Sequence, residues 1–228
     1  MNDTSKMREQ LYPFLHGETK DPVAQNKALL ESVNQKAANS ISAKKAFFAE
    51  NAQHLIDTAA EIAACYRNHG RLLTMGNGGS SCDAAHLAVE FQHPVTAGRP
   101  ALPAFNLTMD TAMLSAVAND VGIDQVFARQ VEATARPEDV LVGFSTSGNS
   151  KNLLAGFQMA KKLGLKTVGF AGGDGGDMQS SGLVDHCLVV DSPSIHRVQE
   201  VHVAIYHILW DLVHTQLADT RGNLNKKG

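Results

Sequence analysis

The feature that most constrains this chain is an alternation that begins after His69-Gly70. Short apolar runs, Leu72 to Met75, Ala104 to Leu107, Val140 to Phe144, Thr167 to Phe170 and Cys187 to Val190, are each followed by a Gly/Ser/Thr/Asp loop and then by a helical pattern of ten or more residues. A strand that is apolar on both sides must be covered on both faces, and an intervening helix is the crossover that parallel pairing requires. The pattern predicts an α/β fold: a doubly wound parallel five-stranded sheet flanked by helices.

Ahead of the sheet, residues 26–68 are rich in Ala and free of Gly and Pro. Leu29, Leu30, Val33 and Ala37, then Ala46, Phe47, Ala49, Ala52, Leu55, Ile56, Ala59, Ile62 and Ala63, recur at spacings of three and four, which is helical periodicity. Two leading helices are expected, jointed at Ser40 to Ser42. Residues 1–25 carry Pro13 and Pro22 and little periodicity, so they read as an N-terminal arm. The main domain then spans 26–218, its last long helix running from Ile195 to about Leu217, and residues 219–228 form a polar tail expected to fray. The 228 residues exceed the roughly 150 of an average domain. The leading helices, the arm and the tail together account for the surplus.

Lys and Arg number 20 against 23 for Asp and Glu, and no basic run could track a phosphate backbone, so no direct nucleic-acid partner is expected. No stretch approaches the roughly 18 apolar residues of a membrane span. The start, MNDTSKMREQLYPF, lacks the basic and apolar regions of a secretory signal. A cytoplasmic protein with no membrane partner is expected. Cys65, Cys82 and Cys187 are too widely spaced for a zinc ribbon or redox motif and read as free thiols, mostly buried.

In a doubly wound sheet, ligands collect where strand carboxyl ends meet helix N-termini. Two such loops stand out, Gly76-Asn77-Gly78-Gly79-Ser80-Ser81 after the first strand and Ser145-Thr146-Ser147-Gly148-Asn149-Ser150 after the third. Small residues admit a ligand to the backbone, hydroxyls donate hydrogen bonds, and the following helix supplies partial positive charge. Together they suit a phosphate monoester; one such loop alone could simply close a βα unit. The first loop lacks the Lys of a Walker A motif and the GxGxxG spacing of a dinucleotide site, which disfavours a nucleotide.

The helix opening near Ser80 carries His86 and Glu90 four residues apart, on one face. Such a pair is more often solvated than functional. The terminal helix holds Gln199, His202 and His207 on an apolar background. Gln199 and His207 lie about 12 Å apart along the axis, and their side chains could meet over Val203 at one ion or substrate. His202 reads as a packing residue. A carboxylate and an imidazole facing one phosphate-sized cleft are the minimum needed to move a proton beside a carbonyl.

At these residues a resemblance becomes specific. The segments MGNGGSSCDAAHLAVEF, AVANDVGIDQVFARQVEA, EDVLVGFSTSGNSKNLL and HRVQEVHVAIYHIL resemble the sugar isomerase (SIS) domain, and within it the D-sedoheptulose 7-phosphate isomerase (phosphoheptose isomerase) family. The resemblance runs from about Asn26 to Leu217. It implies an aldose-ketose isomerase that makes D-glycero-D-manno-heptose 7-phosphate for heptose and lipopolysaccharide biosynthesis, working as a homotetramer. Glu90 would be the base and His207 the acid of an enediol mechanism. His86, Glu90, Gln199 and His207 would bind one zinc per subunit. The sugar phosphate would be held by Asn77, Gly78, Gly79, Ser80, Glu90, Asn119, Asp120, Ser145, Thr146, Ser147, Ser150 and Gln199.

The resemblance also carries alternatives. SIS-domain relatives that bind the replication initiator DnaA lack the acid and histidine matching Glu90 and His207, both present here, and a sugar phosphate of another length remains open. Two positions depart from the family pattern. His196 stands where an acidic residue is common, and Phe91-Gln92-His93-Pro94-Val95 lacks the usual Arg. His93 and His196 read ordinarily as surface residues.

Overall fold

The structure, a computed structural model, describes residues 21–224, with side chains to 218. The expected arm therefore lies mostly outside the described residues. Contacts divide the chain into two units, residues 1–39 and 40–228. The first helix, α1 (Pro22–Arg67), begins four residues before the expected Asn26. Asp21 Oδ1 accepts from Val23 N at 3.0 Å, capping the first turn, and Pro22 occupies the position where a missing N–H costs nothing. In the first unit Val23, Leu29, Leu30 and Val33 are all exposed.

The joint expected at Ser40 to Ser42 does not exist: α1 passes through it as one helix. No Gly or Pro interrupts residues 23–69, and Ser costs a helix too little to break it. From Phe47 the helix turns one face inward, with Leu55, Thr58, Ala59, Ile62, Ala63 and Cys65 buried. Cys65 is buried, Cys187 half-buried and Cys82 exposed, and all three are free thiols.

The five expected runs form five strands: β1 (Leu72–Gly76), β2 (Ala104–Asn106), β3 (Val140–Ser145), β4 (Lys166–Gly172) and β5 (His186–Val190). All neighbours pair in parallel, in the order β2-β1-β3-β4-β5. The intervening helices are α2 (Gly79–Gln92), α3 (Thr111–Asp120), α4 (Val126–Thr134), α5 (Lys151–Leu163) and α6 (Gly176–Ser180), and α7 (Ile195–Leu224) closes the chain. Long helical crossovers were expected throughout, but β4 and β5 are joined through only five residues of helix. The Gly172-Gly173-Asp174-Gly175-Gly176 run leaves little sequence that favours a helix there.

Successive strand residues point to opposite faces, so the sheet builds two cores. Leu72, Val140, Val142, Phe144, Val168 and Phe170 pack with α1, α2 and α7, while Leu73, Met75 and Leu141 pack with α3, α4, α5 and α6. At the amino end, buried Asp139 ties the entry of β3 to that of β1. Its carboxylate accepts from Arg71 N at 2.8 Å, Nε at 3.2 Å and Nη2 at 2.6 Å, and from Arg136 N at 3.0 Å. Among the described residues no helix is long and apolar enough to cross a membrane.

Because the chain steps from β1 outward to β2 and then back to β3 on the other side, the direction of winding reverses between β1 and β3. The carboxyl ends of those two strands flank the crevice where such sheets bind ligands.

Candidate active site

Both hydroxyl-bearing loops open at this switch point. After β1, Gly78 adopts a φ of 54°, a left-handed turn that delivers the chain directly into α2. Asn77 reaches across to α5, where its amide and that of Asn152 exchange hydrogen bonds of 2.8 and 2.9 Å. This reciprocal pair bolts the first loop to the first turn of α5, which the third loop enters. Ser80 is buried beneath the turn.

In the third loop Ser145 Oγ lies 2.9 Å from Ser150 Oγ and 3.4 Å from Ser147 Oγ. Gly148, at φ 67°, lets the loop close: a Cβ there would fall 1.9 Å from the Gly175 carbonyl oxygen. Ser150 occupies the N-cap of α5 without capping it through its side chain; its hydroxyl turns toward Ser145. Three hydroxyls thus gather at the positive end of a thirteen-residue helix. Thr146 is half-buried in the same loop.

A second cluster forms where α2 and α7 lie side by side. His86 Nε2 is 3.1 Å from Glu90 Oε1. The His86 and His207 rings meet at 5.0 Å, nearly perpendicular. One ligand atom each from His86, Glu90 and His207 fall within 4.8 Å of one another, and all three residues are half-buried. Two imidazoles and a carboxylate at that spacing fit a zinc ion. Gln199 enters at the other end of the helix pair, with its amide against Gly79, so closely that a Cβ on Gly79 would sit 2.3 Å from Nε2.

Residues 35–172 match the SIS domain family. The phosphoheptose isomerase of Desulfovibrio desulfuricans is 46% identical over 188 residues, covering 82% of this chain and 88% of that one. The chain belongs to the phosphoheptose isomerase family. A solved phosphoheptose isomerase from Neisseria gonorrhoeae aligns with a TM-score of 0.77 at 36% identity, over 82% of this chain and 99% of that one. One from Francisella tularensis gives 0.76 at 34% identity, over 82% and 98%.

Most of the site residues expected of a phosphoheptose isomerase thus fall into two groups, the loops after β1 and β3 and the α2–α7 cluster. Asn119 and Asp120 are different. They occupy the last turn of α3, not a loop, and are exposed, with Asn119 Nδ2 donating to Asp120 Oδ1 at 2.8 Å. His202 is a packing residue: fully buried beside Phe144 and Phe170, it bonds through Nε2 to the Ala171 carbonyl at 3.0 Å. Burial pushes its pKa down to about 4. His93 is the C-cap of α2 and His196 lies in the first turn of α7, both exposed.

Sequence reasoning missed three neighbours of the cluster. Tyr206 Oη lies 2.7 Å from His86 Nδ1, and burial, with Asp83 and Glu90 nearby, holds its phenol above the ordinary range and so protonated. Trp210 Nε1 donates to the Glu90 carbonyl at 2.8 Å. Asp83 is buried one turn before His86, and burial pushes its pKa up to about 6 against the opposing pull of His86. A signal for Asp83 existed: an acid inside an Ala-rich stretch, three residues before a histidine. Tyr206 and Trp210 carried no comparable signal.

Proposed function

We propose that this chain converts D-sedoheptulose 7-phosphate to D-glycero-D-manno-heptose 7-phosphate. The observation that carries this reading is the convergence of His86, Glu90 and His207 from α2 and α7, in a chain whose sheet opens two hydroxyl-bearing loops at its switch point, one of them leading directly into α2. The phosphate binds at Ser145, Thr146, Ser147 and Ser150 and the N-terminus of α5, while Asn77, Gly78, Gly79 and Ser80 shape the first loop around the chain. Asn119 and Asp120 complete the proposed substrate contacts. Binding energy from the phosphate end positions the carbonyl end at the acid and base.

Glu90 removes the proton from the carbon beside the carbonyl, and His207 protonates the carbonyl oxygen, giving a cis-enediol. His207 then takes the proton from the other hydroxyl oxygen as Glu90 returns its proton to the former carbonyl carbon, so both end the cycle as they began. His86, Glu90 and His207 form the core of the proposed set for one zinc per subunit, which when bound would supply Lewis-acid polarisation of the sugar oxygens; Gln199, whose amide lies against Gly79, would join as a fourth ligand only by turning toward them. The exposed apolar residues Leu29, Leu30 and Val33 support contact between subunits, and the proposed assembly is the homotetramer that the family resemblance implies. The protein would act in the cytoplasm, in heptose and lipopolysaccharide biosynthesis.

The test is an NMR assay of purified protein with ketose phosphates of five, six and seven carbons, beside Glu90→Gln. The seven-carbon substrate is expected to turn over fastest. Glu90→Gln should lose at least about a hundredfold in kcat, the low end for general-base catalysis, while remaining folded. A near-parent rate in Glu90→Gln overturns the assignment of the base, and preference for another chain length overturns the substrate.

A further inference from the structure

The His86 ring is held at both nitrogens. Nε2 faces Glu90 Oε1 at 3.1 Å, and Nδ1 faces the Tyr206 hydroxyl at 2.7 Å. The Tyr206 side chain is a firm support for that hydroxyl. It is buried, stands edge-on to Phe144 with ring centroids 6.1 Å apart, and meets the His86 ring at 5.3 Å and 74°.

A carboxylate can only accept hydrogen bonds, so a neutral His86 beside Glu90 carries its proton on Nε2 and accepts at Nδ1 from the Tyr206 hydroxyl. When the Nε2 lone pair is given to a cation, the ring proton must move to Nδ1, and the same hydroxyl oxygen must accept it. A hydroxyl serves both arrangements by rotating; an amide nitrogen or a carbonyl could serve only one. Partners of this kind fix the orientation and tautomer of metal-binding histidines.

We infer that Tyr206 is a positioning residue for His86, its hydroxyl aiming Nε2 at the Glu90–His207 cluster and accepting the Nδ1 proton when a cation is bound. The cation-bound half of this inference rests on the metal site proposed above; the metal-free half does not.

Tyr206→Phe removes one oxygen and keeps the buried ring. Two readouts apply: zinc affinity by competition with a chromogenic chelator, and the His86 ring-nitrogen resonances in metal-free protein by ¹⁵N NMR. The variant is expected to bind zinc roughly 10- to 100-fold more weakly, with the melting temperature of the metal-free protein little changed. In metal-free parent protein His86 should be predominantly the Nε2–H tautomer, which Glu90 keeps in Tyr206→Phe, while the Nδ1 resonance should shift as its lone pair loses the hydroxyl donor. Equal zinc affinity in parent and variant overturns the inference. If the parent binds zinc no better than His86→Gln, the metal-site reading falls. The Nδ1 resonance then still decides Tyr206, because an unchanged Nδ1 shift in Tyr206→Phe shows that the hydroxyl does not hold the ring and refutes the positioning role by itself.

Discussion

Replacing Gly79 with Ala separates the site from the fold, because the two respond in opposite directions. Gly79 is the first residue of α2 and does not occupy the left-handed region, so its backbone accepts a side chain. Ala is favoured over Gly inside a helix by about 1 kcal/mol, and by less in the first turn. Stability should therefore hold or rise slightly. The new Cβ, however, would lie 2.3 Å from Gln199 Nε2 and 3.3 Å from Cδ, where ordinary contact starts near 3.4 Å. The amide must swing away by about 1 Å, a displacement that can cost on the order of 10²-fold in rate at a positioned group. We expect kcat/KM, followed by NMR on the seven-carbon ketose phosphate, to fall by that order while the melting temperature stays at or above the parent's. Gln199→Ala removes the group being displaced. The double variant should then be no worse than Gln199→Ala alone, since both act through one side chain. A Gly79→Ala protein near the parent rate, or a loss that adds fully to that of Gln199→Ala, would refute the reasoning.

Two further predictions concern the frame. Asp139→Ala should cost about 3 kcal/mol in urea unfolding, at the low end for a broken buried pair because Arg71 retains some contact with solvent. A loss below about 1 kcal/mol would mean that water replaces the carboxylate. His202 should make stability fall with acid. Its folded pKa, about 4, lies below the unfolded value of 6.5, so the unfolded chain takes up the proton first. The contribution is intact above pH 6.5 and is lost progressively down to about pH 4, on the order of 3 kcal/mol in all. His202→Gln should flatten that slope relative to the parent, and the comparison cancels the opposing titration of Asp83. An unchanged slope between pH 6.5 and 4 would assign the acid sensitivity to other groups.

What the sequence made legible was local. All five strands lie within two residues of the apolar runs that predicted them, because a strand covered on both faces must be apolar throughout and is bounded by its loops. His86 and Glu90 could be placed on one face of one helix from a spacing of four. The errors at the front of the chain were local too, but they concerned weak signals. Ser40 and Ser42 are too mild to break α1, while Asp21-Pro22 is a start signal that the expected boundary at Asn26 overlooked.

What stayed illegible was pairing over distance. Asn77 finds Asn152 only because β1 and β3 are adjacent, although β2 lies between them in sequence. Tyr206 finds His86 only because α7 runs beside α2 in the same direction, matching Gln199 to Gly79, Tyr206 to His86 and Trp210 to Glu90 in order. That parallel run explains why the two ends of the site are linked mechanically. The loop after β1 and the Glu90 carboxylate are fixed to one rigid helix, and α7 grips it at both places. A shift of one helix along the other would move Gln199 off Gly79 and His207 away from His86 together. Residue types at the site can therefore be read one segment at a time, whereas their geometry belongs to the packing of α2 against α7.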